Sequence, residues 1–113
     1  MRPELCLLAV ALSGAVACAA SLPHPGTAEL GAVRASDPSV RADDLERGRG
    51  LYLAKCSGCH TAIEPARFGA DAWPGKIERM RSERRVHLAD DEVRDIERYL
   101  VGVSAVARDH AAL

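Results

Sequence analysis

The sequence predicts a small all-α domain of about three helices. Apolar residues recur at helical spacing in three separate stretches of the 113 residues. No strand pattern precedes the Cys-x-x-Cys-His run at 56–60 that the first of these stretches leads into. The chain is also short enough for one domain to be the expectation. Its charge carries little information: fifteen Lys and Arg stand against sixteen Asp and Glu, a net −1 with a pI near 6.4, which leaves no nucleic-acid footprint.

The first twenty residues read as an export signal rather than as part of the domain. Arg2 precedes an apolar run from Leu5 to Ala20, broken only by Ser13 and Gly14. That is the n-region and h-region of a secreted protein, somewhat short for a membrane span and ending in small residues. Ala15-Val16-Ala17 fits a signal-peptidase site, and with Cys18 it resembles a bacterial lipoprotein box, in which Cys18 would carry the lipid. Ala15 stands where that box usually has Leu. Ala17-Cys18-Ala19 offers a second cleavage that leaves Ala20 first. Both readings export the chain, to the periplasm of a bacterium, either free or tethered by a lipid. Residues 21–42 follow with Pro23, Pro25, Gly26 and Pro38 and no apolar periodicity, which reads as a flexible linker.

The ordered domain is expected over 43–104. Asp43 or Asp44 can cap its first helix, and Leu45, Gly48, Leu51, Tyr52 and Lys55 then fall at helical spacings into Cys56. Gly48 and Gly50 each cost about 1 kcal/mol relative to Ala inside a helix, and a glycine kept at that cost points to close approach of another helix. A middle helix is expected from about Ala72 to Arg81, with Pro74 tolerated in its first turn and Trp73, Ile77 and Met80 on one face. In the last helix Asp90 and Asp91 suit the N-terminal dipole. Val93, Ile96, Leu100 and Val103 form its stripe, with Tyr99 beside it. Gly102 reads as its fraying end and 105–113 as a loose tail.

Cys56-Ser57-Gly58-Cys59-His60 carries the chemistry. Cys-x-x-Cys-His is the attachment signature of a c-type haem: two thiols one helical turn apart add across the two vinyl groups, and the following His supplies the proximal axial ligand. A redox dithiol, half of a zinc site and a structural disulfide are the rival readings. The first needs a βαβ setting and the second needs two further ligands at metal spacing, and neither is found. A domain of roughly sixty residues rarely supplies a sufficient core by itself. The haem is therefore expected to act as core, and the haem-free chain to be largely unfolded.

Over about residues 44–102 the chain resembles the small class I, mitochondrial-type c-type cytochromes of bacteria. Gly48 and Tyr52 match that family's Gly-x-x-x-aromatic, which ends four residues before the first haem Cys. Ile96-Glu97-Arg98-Tyr99-Leu100 matches its last helix, which crosses the first at nearly a right angle. Pro65, Trp73 and Met80 stand in the order found in a compact monohaem subgroup. The resemblance implies one haem c held by Cys56 and Cys59, with His60 and Met80 as axial ligands. It also implies a Pro65 carbonyl that accepts the other ring N–H of His60, a tuning contact. The departures are a gap of only nineteen residues between His60 and Met80, and Ala89 in place of a Ser or Thr cap, worth about 1 kcal/mol.

Each of these assignments has a plainer alternative. Met80 can be core packing, with His87 as rival sixth ligand. His24 and His110 lie in the expected linker and tail. Trp73 can pack on a haem edge with its indole N–H on a propionate, or sit in the core. Arg79, Arg81, Arg84 and Arg85 can pair a propionate, dock an acidic partner, or form a solvated face that Glu78 and Glu83 partly neutralise. The function these residues imply is one-electron transfer, not enzymatic turnover, as a carrier or as the cytochrome subunit of a larger dehydrogenase or reductase. An open sixth position would instead make a gas-binding or peroxide-reactive haem protein. Without haem, the remaining reading is a disulfide-bonded lipoprotein.

Overall fold

Val93, Ile96, Tyr99, Leu100 and Val103 line one face of the longest helix, and all five are buried. The computed structural model describes residues 22–57 and 62–113. Among these it has four α-helices and no strand: α1 Thr27–Arg34, α2 Ala42–Cys56, α3 Trp73–Ser82 and α4 Asp90–Ala111. Two 3₁₀ turns, Pro65–Arg67 and Ala70–Ala72, connect α2 to α3. The all-α expectation holds, with one helix more than three. No described helix is long and apolar enough to cross a membrane.

The chain ends of the helices follow from local chemistry. Asp90, Asp91 and Glu92 fill the first turn of α4. Ala89 has no side-chain oxygen to offer, but Glu92 Oε2 accepts its backbone N–H at 2.9 Å, which supplies the returning half of a capping box. Asp44 does the same for α2, accepting the N–H of Arg41 at 2.9 Å. Arg41 is therefore the N-cap, and Asp43 and Asp44 lie inside the first turn instead of capping it.

Helices α2 and α4 cross at Gly48. A Cβ built there would run into the backbone carbonyl of Asp95 and stand 3.0 Å from Tyr99 Cβ. Gly48 thus has the close-contact role expected of it, whereas Gly50 faces open space. Around the crossing, Tyr52, Trp73, Ile77, Leu88 and the α4 stripe form the main core.

Residues 22–41 are a folded layer, which corrects their reading as a flexible linker. Leu22 is buried in the main core. Its carbonyl accepts from Arg49 Nε at 3.1 Å and Nη2 at 3.0 Å, and the Pro23 carbonyl accepts the Tyr99 hydroxyl at 2.8 Å. Val33, Val40 and Leu45 make a second core with Leu30 against them. Gly102 is where α1 rests on α4: a Cβ there would lie 3.0 Å from Val33 Cγ2 and 3.2 Å from the Glu29 carbonyl oxygen. It is a packing glycine in mid-helix, not a fraying end, and α4 continues through the expected tail to Ala111. The boundary near residue 43 fails for the same reason, while the signal segment 1–20 lies outside the described residues.

A chain of charges ties the layer to the helices. Arg47 donates to Asp44 at 3.0 Å and Asp95 at 2.6 Å, and Arg98 reaches Asp95 at 3.4 Å and Asp37 at 2.6 Å. Asp95 is 4% exposed, so its two partners offset its burial. Hydrogen bonds from Ser39 and Arg98 hold the Asp37 carboxyl below the ordinary carboxylate range, and the Arg41 backbone N–H does so for Asp44.

Two outcomes follow. Gly48→Ala should lower unfolding free energy by about 3 kcal/mol, whereas Gly50→Ala, with open space around it, should raise it by about 0.5–1 kcal/mol in urea titrations. A lowered folded pKa gives stability that is present above the ordinary Asp value of 3.8 and lost as pH falls through the folded value. Urea midpoints taken from pH 7 to pH 2 should therefore fall at the acid end, and fall less steeply in Asp44→Asn.

Candidate haem site

The spacing of Trp73, Ile77 and Met80 sets one face of α3 against the end of α2. Trp73 and Ile77 are buried, and Met80 is half-buried at the edge. Between this face and α2 lies a cleft of about 290 Å³ whose apolar wall is Tyr52, Ile63, Phe68, Trp73, Ile77 and Met80. Cys56, in the last turn of α2, lines the same cleft. Lys76, Arg79, Glu83 and Arg85 complete its lining. The rings inside it pack edge to face: Trp73 stands 6.0 Å from Tyr52 and 5.4 Å from Phe68, centroid to centroid. Burial pushes the Cys56 thiol up from its ordinary value, so it is a neutral, weakly polar group in this wall.

The segment between α2 and α3 is pinned from three sides. The Tyr52 hydroxyl donates to the Ile63 carbonyl at 2.6 Å, and burial pushes its pKa well up. The Trp73 indole N–H donates to the Pro65 carbonyl at 3.0 Å and to Ser104 Oγ at 2.8 Å, while the Ser104 hydroxyl donates to the same Pro65 carbonyl at 2.6 Å. Of the two readings of Trp73, the propionate contact is not what its N–H makes: that N–H is spent inside the fold, and the ring lines the cleft. The Pro65 carbonyl expected for His60 carries two donors of its own. Ser104 has no signal in the sequence, because its role depends on α4 passing behind Pro65.

The turn after α3 sets the far rim. The Arg84 N–H donates to the Arg81 carbonyl and the Arg85 N–H to the Met80 carbonyl, both at 3.0 Å. This is a Schellman closure, with Arg84 in the left-handed region at φ 55°. It ends the helix two residues after Met80 and returns Arg85 to the cleft. Of the four arginines read as one patch, Arg79 and Arg85 line the cleft, while Arg81 turns to Asp90 at 2.5 Å.

Cys59 and His60 lie outside the described residues, as does Cys18. His87, His24 and His110 are exposed, none lines the cleft, and His24 pairs with Glu46 at 3.1 Å. Lys76 and Phe68, absent from the sequence reading, belong to the cleft, with Lys76 Nζ 3.8 Å from the Phe68 ring centroid. The position of Lys76 one turn before Met80 was the available signal.

An apolar cleft with a thiol in its wall and cations at its rim fits a flat apolar cofactor with anionic side groups. The family model of dihaem cytochrome c matches residues 52–112, just over half of the chain. The chain belongs to this family. Neither the curated proteins nor the solved structures contain a match to it.

Membership makes the chain a c-type cytochrome, a haem protein of the electron-transfer class. It does not support the monohaem class I subgroup. The expectation of one haem is overturned, because a dihaem family points to two. That expectation came from the resemblance to the compact monohaem cytochromes, and the 113 residues hold a single Cys-x-x-Cys-His. The matched stretch begins at Tyr52, so the cleft lies within it and α1 does not.

The turn beside the cleft gives a separate expectation. Arg84→Gly removes the left-handed penalty and should stabilise the cytochrome by up to about 1 kcal/mol. Thermal unfolding would check it, and a loss of stability would count against this account of the turn.

Proposed function

We propose that this dihaem-family cytochrome transfers single electrons through a haem attached at Cys56 and Cys59, with His60 and Met80 as axial ligands. The observation that carries this reading is that Cys56 and Met80, on different helices, line one cleft. The haem iron supplies the one-electron couple. The protein contributes Cys56 as an anchor on α2, the apolar wall that keeps water from the ring, and Met80 on α3. A Met thioether in place of a second imidazole favours the reduced state. His87 is exposed and outside the cleft, which favours Met80 over it. The contacts from Tyr52, Trp73 and Ser104 hold the wall in one arrangement, as a carrier that must reorganise little requires.

The same reading makes the chain an exported protein of the bacterial periplasm, free or lipid-anchored at Cys18, with redox proteins as partners, a larger dehydrogenase or reductase among them. Leu22 is buried only four residues after Cys18. A lipid there would hold the domain close to the membrane, with little slack between.

Visible spectra of the haem-loaded protein test the ligand set. The parent should be low-spin, show the Met–iron charge-transfer band and ignore carbon monoxide. Met80→Ala should lose that band and bind carbon monoxide. A parent that binds carbon monoxide would instead mean an open position and a gas-binding or peroxide-reactive protein.

A further inference from the structure

We propose that Arg79 and Arg85, clipped together by Glu83, form the seat of the haem's carboxylate side chains at the mouth of the cleft. This rests on the haem reading of the cleft given above. Glu83 accepts from Arg79 Nε at 2.9 Å through one oxygen and pairs with Arg85, whose Nε stands 2.8 Å from the other. Both contacts use Nε. The outer nitrogens of both forks therefore stay clear of the clip, and neither arginine makes another ion pair among the described residues. Those nitrogens present the paired donors that match a carboxylate.

The backbone supports the arrangement. Arg79 on α3 and Glu83, the residue that caps it, are one turn apart beside the Met80 edge. The left-handed Arg84 reverses the chain so that Arg85 comes back alongside them. With Lys76, the rim has three cations and one carboxylate, which leaves two positive charges for the two carboxylates of a haem. The side chains of Arg79 and Arg85 are 79% and 65% exposed, and pairs this exposed add little to stability. The clip orders two long cations at an apolar opening, and that order serves a ligand that is apolar in its body and anionic at its edge. Arg81, held by Asp90, is outside the seat.

The test uses the mature, haem-loaded protein and two readouts: the propionate bending band in resonance Raman spectra, and the ferric-to-ferrous ratio at a fixed applied potential. Arg79→Gln and Arg85→Gln should each shift the band. Each should also raise the ratio about threefold, roughly 28 mV at 59 mV per tenfold for one electron, because a cation that opposed the ferric charge is gone. Glu83→Gln should move the ratio the other way. Arg79→Lys should keep the ratio near that of the parent while still shifting the band, which separates the fork from its charge. Arg81→Gln should leave the band alone.

An unmoved band and ratio in both glutamine variants, with haem attached, would overturn the seat while leaving the haem reading intact. An equal shift in Arg81→Gln would overturn it as well, since a general surface charge would then suffice. If the glutamine variants take up no haem, Arg79→Lys and Arg85→Lys carry the test through the band alone. A parent that attaches no haem overturns both the seat and the reading beneath it.

Discussion

The approach of α2 to α4 at Gly48 is the constraint on which the rest of the fold depends. With the Asp95 carbonyl against the glycine, the two helices meet at backbone distance and the side chains on either side of the contact divide into two groups. Tyr52 and Cys56, toward the end of α2, line the cleft. Leu45, toward its start, lies in the second core with Val33 and Val40. Any side chain at position 48 would separate the helices and move Cys56 away from the face of α3 that bears Met80. One missing Cβ therefore controls how closely the two helices that frame the core approach.

The N-terminal layer acts on the same crossing from outside. Arg49 from α2 and Tyr99 from α4 both donate to consecutive carbonyls of the strap, at Leu22 and Pro23. Arg47 and Arg98 place their guanidiniums between carboxylates of α2, α4 and the Asp37 turn. The buried Asp95 is the shared partner of both arginines. Burial of a carboxylate is costly unless it is paired and hydrogen-bonded, so this network specifies how the layer seats more than it adds to net stability. Since the family match starts at Tyr52, the layer and the first half of α2 are outside the part of the chain that the family describes.

What could be read from the sequence follows the range of the physics involved. Helical stripes are local, and α3 and α4 start within a residue of where Trp73 and the Asp90–Asp91 pair suggest. Gly48 was legible through the Gly-x-x-x-aromatic pattern it makes with Tyr52; helix cost alone does not single it out, since Gly50 carries the same cost with open space around it. The layer at 22–41 was not, because Leu22, Val33 and Val40 have no shared period and become core only when α4 is present to receive them. Gly102 was misread for the same reason: its neighbour, α1, was not expected to exist. In the cleft, Cys56, Trp73 and Met80 were visible as residue types, but the destination of the Trp73 N–H was decided by Ser104, thirty-one residues away. The number of haems was carried by the resemblance to a monohaem subgroup, and the chain's single attachment run offered nothing against it.

The cleft joins these levels. Its interior is built of side chains that a helix period places together, and its connecting segment is held by three buried or half-buried hydrogen-bonding groups, Tyr52, Trp73 and Ser104. The Trp73–Pro65–Ser104 cluster has no route to water, with Ser104 fully buried. Breaking one of its bonds would leave a polar group unpaired in an apolar setting, at a cost of about 1–3 kcal/mol. The wall behind the cleft is therefore the rigid side, and the rim formed by the exposed Arg79, Glu83 and Arg85 is the adaptable one. A cofactor held covalently at Cys56 on the rigid side and by charge at the rim would keep its ring fixed while its anionic edge faces outward.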